Sequence, residues 1–256
     1  MRQRTKAKSD ASKGATAHTS IPGLDTPVEM RRHPSARRMT LRVSRTKRAV
    51  IVTVPMQCNL DDADKFLNRH IDWVRDRVGK LPQPVPFADC AIVPLRGVYH
   101  RLRFSGAAPK AGLVELIAFD AAGSGPQIVV HGATRHAARH LRAWLADEAR
   151  RDLDERVAVH CGKLGLTAKR VVIRDQATRW GSCSTTRVLS FSWRLILAPP
   201  FVLDYVAAHE VAHLAEMNHG PRFWALVRKA FADLDAAKDW LSTRGLDLHR
   251  YGERRI

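Results

Sequence analysis

A chain of 256 residues with 45% apolar and 7% aromatic residues is long enough to bury one sizeable core or two small ones, so it needs no disulfides to fold. Its four cysteines, Cys58, Cys90, Cys161 and Cys183, lie far apart without a CxxC pair; this argues against a thiolate metal site and predicts reduced thiols in a cytoplasmic protein. The formal charge of +18 is uneven, because residues 1–48 hold 13 Lys or Arg against 3 Asp or Glu. That concentration predicts a basic arm, either solvated or attracted to nucleic acid.

The opening MRQRTKAKSDASKGATAHTS lacks the apolar segment of a secretory signal, and no run of about 18 apolar residues occurs anywhere, so no membrane span is predicted. An Arg- and Ser-containing start also fits a mitochondrial transit peptide, but Asp10 and a weak apolar face argue against it. Residues 1–27 are polar and interrupted by Gly14, Pro22, Gly23 and Pro27, and are expected to form a disordered tail. From Met39, apolar Met39, Leu41 and Val43 alternate with Thr40, Arg42 and Ser44; a polar turn and AVIVTV follow, predicting a β-hairpin. Asp61 is expected to cap a helix carrying Phe66, Leu67, Ile71, Val74 and Val78 as far as Gly79.

After the stiff connector Pro82-Gln-Pro84-Val-Pro86, short strands are predicted at 91–95, 98–104, 113–119 and 127–131, separated by glycine turns. The first half therefore reads as mostly antiparallel sheet. From Thr134 the period lengthens, and Leu141, Trp144, Leu145, Ala149, Leu153 and Val157 mark a long helix ending near Gly162 or Gly165. Strands at 169–174 and 188–193 flank a loop, Gln176–Thr186. Pro199-Pro200 then opens a helix over Phe201–Glu216; further helices are expected from Pro221 and over 233–243.

The helix opening at Pro200 contains His209-Glu210-Val211-Ala212-His213, an HExxH pattern. At about 100° per residue, positions four apart differ by about 40°, so both imidazoles leave one helix face and can share one cation. Glu210 lies beside that cation and can act as general base on a bound water. Six residues after His213, the turn Asn218-His219-Gly220 can bring a third imidazole back to the site. Three protein ligands leave an open position, as in a catalytic zinc site rather than a structural one. Placing two imidazoles and a carboxyl on a helix that is apolar nearly all round is costly unless they are paired or ligated.

His136 and His140 repeat the four-residue spacing with His131 nearby, but Ala137 replaces the glutamate and Arg135, Arg139 and Arg142 would repel a cation, so a solvated basic face is expected there. The loop Arg179-Trp180-Gly181-Ser182-Cys183-Ser184 leads towards the metal helix. Arg179 is a candidate oxyanion partner and Trp180 a candidate cleft wall, with a packed turn as the equal alternative. Tyr205, one turn before His209, is a third candidate for transition-state contact, or a core residue.

The segments RWGSCS and LSFSWRLILAPPFVLDYVAAHEVAHLAEMNHGPRFWALV resemble the YgjP-like metallopeptidase domain, a group of zincins related to the SprT-like proteases. The resemblance runs from about Arg37 to Val227. It implies that His209, His213 and His219 hold zinc and that Glu210 is the catalytic acid/base. The HExxHxxxxxH spacing is shared with metzincins, but those have glycine where this chain has Glu216, and no Met-turn is evident.

The expected architecture is α+β: a tail over 1–27, a β-rich region over 28–131 and a zincin-like helical metalloprotease domain over 132–256. The expected activity is zinc-dependent hydrolysis of a peptide or protein. Two alternatives stay open, a nucleic-acid-associated protein with SprT-like protease activity and a non-peptide amide hydrolase. The natural substrate and oligomeric state are not legible in the residues.

Overall fold

The computed structural model describes residues 16–21, 24–44, 46, 48–108, 112–118 and 125–252, with the backbone alone for 16–21, 24 and 25. The chain divides into two compact units after Leu81. The expected boundary at 131/132 falls inside the second unit, because strands placed by sequence in the first half belong to the core of the later helices.

In the first unit, β1 (Thr16–Ile21), β2 (Leu24–His33), β3 (Thr40–Ser44) and β4 (Ala49–Pro55) form one sheet in the order β1-β2-β4-β3. Strand therefore begins at Thr16, inside the stretch expected to be a tail, and residues 1–15 lie outside the described residues. Composition missed this because β1 is held by backbone pairing with β2, which carries no hydropathy signal. The predicted hairpin is present as β3 and β4, with Leu41 opposite Val52. The centre of the sheet departs from expectation, since β2 and β4 run parallel.

The expected helix over 61–79 is two helices, α1 (Leu60–Arg69) and α2 (Ile71–Gly79), broken at His70. Its cap is Asn59, whose side chain accepts from the Asp61 amide, not Asp61. Ala63, Leu67 and Val74 bury against Val28, Met30, Val50, Val52 and Val54, which closes a small core.

The second unit contains two sheets and a long helix. β5 (Ile92–Leu95), β6 (Val98–Phe104), β7 (Val114–Ile117) and β8 (Gln127–Val130) lie in the order β5-β6-β8-β7, close to the predicted segments. Here too the central pair, β6 with β8, is parallel. α3 (Thr134–Leu164) spans 31 residues and ends at Gly165, whose left-handed φ of 66° releases the chain from the helix. Its apolar stripe of Leu141, Leu145, Ala149, Leu153 and Val157 enters the core as predicted.

The second sheet pairs β9 (Arg170–Arg174) in parallel with β11 (Val188–Ser192), and β11 with β10 (Gly181–Cys183) in antiparallel fashion. β10 lies within the segment expected to be a loop; three residues are too few for a period-two pattern to register. The chain then tightens into a 3-10 helix, Trp193–Leu197, before α4 (Pro200–Ala212), α5 (Pro221–Ala230) and α6 (Leu234–Arg244).

The residues that fix α4 come from far along the chain. The β5–β6 turn abuts its start: the amides of Arg96 and Gly97 donate to the carbonyls of Ile196 and Leu197. A Cβ at Gly97, where φ is +80°, would stand 3.0 Å from the Pro199 backbone. Within the described residues, Arg194, fully buried, pairs with Asp175 and donates to the carbonyls of Leu248, Tyr251 and Gly252. That clamp ties the segment before α4 to the 245–252 turn.

Candidate metal centre

α4 is buried on most of its circumference: Val202, Leu203, Val206, Ala207, Ala208, Val211 and Ala212 all enter the core. It ends at Ala212, four residues earlier than expected, with His213 in the cap position. The early end is what lets the chain turn back. His213 Nδ1 lies 3.0 Å from the Glu216 carbonyl and donates to it, which occupies Nδ1 and leaves Nε2 with its lone pair. The following turn delivers His219 so that its Nε2 stands 3.1 Å from His209 Nε2.

His209, His213 and His219 each offer a ligand atom, and these atoms lie within 4.8 Å of one another. Among the described residues this is the one such group of His, Cys, Asp or Glu; the His131, His136 and His140 set does not assemble, and His131 instead faces Glu115 at 3.2 Å. Burial, then the two other imidazoles and Lys238, push the His209 pKa down to about 3. Burial likewise lowers His213, against the opposing pull of its bond to Glu216, and His219 lowers it further. Three closely spaced imidazoles, with burial favouring the neutral form of His209 and His213, fit a divalent cation.

Beneath the three rings lies Phe223, fully buried at the first turn of α5, with centroids 4.8, 4.4 and 4.7 Å from His209, His213 and His219. Trp224 stands 6.0 and 5.9 Å from His209 and His219, and Lys238 of α6 sits 3.7 Å above its ring. Sequence reasoning missed this floor and wall. The helix start at Pro221 was legible, but the direction of its aromatic residues towards the histidines was not.

Glu210 is 5% exposed, and its Oε2 has no hydrogen-bond partner among the described residues. Burial pushes its pKa up to about 8, with Arg179 pulling the other way. β10 passes so close that a Cβ at Gly181 would lie 2.5 Å from Glu210 Oε1. Gly181 thus makes room for the carboxyl, a role the sequence did not reveal.

The three further candidates separate. Arg179 is exposed and near enough to act on the Glu210 charge. Trp180 stacks on His249 at 5.0 Å and packs beside Gly245, as a buttress of the 245–250 turn. Tyr205 is buried; its ring lies 5.9 Å from those of both Phe231 and His209, and its hydroxyl makes a long 3.5 Å contact with His209 Nδ1. Burial and the Glu210 charge push its pKa up to about 12, which keeps the phenol protonated.

One further cluster holds α4 from behind. Asp204 takes a two-point ion pair from Arg156 and lies 2.6 Å from Nε2 of the fully buried His160, both on α3. Burial opposes ionisation of Asp204, but the bonds from His160 and Arg156 outweigh it and hold the carboxyl below its ordinary range.

A helix that presents two imidazoles and the carboxyl between them, with a third imidazole returned by the next turn, is an arrangement that could hold a metal ion and fits the class of metal-dependent hydrolases. The chain belongs to the YgjP-like metallopeptidase domain family, whose model matches residues 37–244. Its family is one of metal-dependent peptidases. A solved structure, the metallopeptidase zymogen of Pyrococcus abyssi abylysin, is similar at 21% identity over 39% of this chain and 98% of that one, with a TM-score of 0.34. Among the curated proteins no match was found. Among the described residues, no helix is long and apolar enough to cross a membrane.

Proposed function

We propose that the chain is a zinc peptidase that cleaves peptide bonds with Glu210 as its general base. The observation that carries this reading is the buried Glu210 carboxyl, with one oxygen unpartnered among the described residues, on the helix that bears His209 and His213. An all-imidazole donor set suits zinc, which supplies Lewis acidity and an acidified water when bound. His209, His213 and His219 would hold it; His213 is oriented by the Glu216 carbonyl and His209 is contacted by Tyr205.

Glu210 takes the proton of the attacking water and returns it to the departing amine nitrogen. A carboxyl with a pKa near neutrality suits both transfers, because neither protonation state is strongly disfavoured. Arg179 offers positive charge for the developing oxyanion, and the Gly181–Cys183 strand supports binding of an extended substrate. β10 terminates its sheet among the described residues, so its outer edge can add one more strand, the usual way a sheet edge holds a peptide.

The test is Glu210→Gln against wild type at matched zinc content, with new N-termini read from a digested proteome. The amide keeps size and hydrogen bonding but loses basicity, so cleavage falls by about 10²–10⁴-fold while the metal stays bound. Equal cleavage by the two proteins would end this reading.

A further inference from the structure

The first unit carries a groove of about 520 Å³ whose lining includes four cations. Arg37 and Arg38 come from the segment before β3, and Lys65 and Arg69 lie one turn apart on α1. Asp62 is the one acid beside them. Arg32 shapes the rim by donating to the carbonyls of Met56 and Cys58, which holds the segment after β4 in place.

Three other cations of this unit are ion-paired. Arg31 meets Glu29, Arg75 meets Asp72 at 3.3 Å and Lys80 meets Asp76 at 2.7 Å. The four groove cations are exposed, and none has an ion-pair or hydrogen-bond partner among the described residues. Lys65 and Arg69, four residues apart on one helix, repel each other as well. Four positive charges around one concavity, against the single carboxylate of Asp62, lower the free energy of a ligand that brings several negative charges at once.

We propose that this groove binds the phosphodiester backbone of a nucleic acid. Three of the four cations are arginines, whose planar forks match the paired oxygens of a phosphate. A nucleic acid offers such a group at every residue, so one strand can meet all four side chains. Half-buried Phe66 on the same lining offers a ring to an unpaired base, whereas a duplex would engage through its phosphates alone. The groove is separate in sequence from the residues assigned to hydrolysis.

The test uses the full chain and fluorescent oligonucleotides of about 20 nucleotides, single-stranded and duplex, followed by anisotropy between about 50 and 200 mM salt. R37Q/R38Q is compared with R228Q/K229Q, which removes the same charge from exposed positions on α5. K65Q/R69Q serves as a second groove variant should the first fail to fold, as judged by circular dichroism. The groove variant is expected to lose about tenfold or more in affinity, and its log–log salt slope should flatten by about 1.4 for a single strand or 1.8 for a duplex, two lost phosphate contacts. The α5 variant should stay close to wild type. Whichever oligonucleotide shows this pattern identifies the form that is bound.

No binding at low salt would overturn the proposal, as would equal losses in both variants. Unchanged binding by a folded groove variant would place any affinity in the basic residues nearer the N-terminus and overturn it too. Displacement of the oligonucleotide by an equally charged oligoglutamate at the same concentration would assign the groove to an acidic protein.

Discussion

Replacing Gly181 by alanine should disable Glu210 without touching a metal ligand. The new Cβ would stand 2.5, 2.6 and 2.8 Å from Oε1, Cγ and Cδ of Glu210, whereas carbon and oxygen pack at about 3.5 Å. The carboxyl must therefore retreat by about 1 Å, and it is buried, so the neighbouring residues must move too. A misplacement of about 1 Å at a reacting group costs on the order of 10²-fold in rate, which is about 2.7 kcal/mol of transition-state stabilisation. Overpacking of the core adds a stability loss of about 1–3 kcal/mol. The assay is peptide cleavage at matched metal occupancy, with thermal melting alongside. In a Glu210→Ala background the same glycine replacement should cost much less stability, because the colliding atoms are gone; this double-mutant cycle isolates the contact. Full activity of Gly181→Ala with the metal retained would refute the steric role, as would an equal stability loss in both backgrounds.

His219→Ala should lower metal content sharply by elemental analysis, since it removes the proposed ligand returned by the 214–220 turn; unchanged content would exclude His219 from the site. Phe223→Ala should cost about 3–5 kcal/mol in thermal or denaturant unfolding and weaken metal affinity, because the ring lies under all three imidazoles; a variant unchanged in both would show that the floor is dispensable. Asp204→Asn should destabilise by about 1–2 kcal/mol, the low end for a charged hydrogen-bonded pair, because Arg156 and Asp204 remain partly wetted. As the folded-state pKa of Asp204 is depressed, its contribution is present above the unfolded pKa of about 3.9 and is lost as pH falls below that value; the gap between wild type and Asp204→Asn in pH-dependent unfolding should therefore close in acid, and a constant gap would refute the linkage.

The amino-acid sequence by itself determined which residues are candidates for the site and most of the elements that carry them. His209, Glu210 and His213 were legible because helical periodicity converts spacing along the chain directly into direction, and His219 because Gly220 and Pro221 mark a turn followed by a helix start. The long α3 and the β3–β4 hairpin were legible for the same reason: their hydrophobic periods are local. Only the tertiary structure decided which strands run parallel at the two sheet centres, that strand begins by Thr16, and that the units part after Leu81. Those features depend on backbone pairing and contacts between distant segments, which leave no periodic trace. The surroundings of the site are of the same kind. Gly181 is 29 residues from the glutamate it accommodates, and the Asp204 anchor draws on a helix more than 40 residues earlier. A glycine, an aspartate or a phenylalanine acquires such a role from what lies opposite it, and the opposing group is set by the fold.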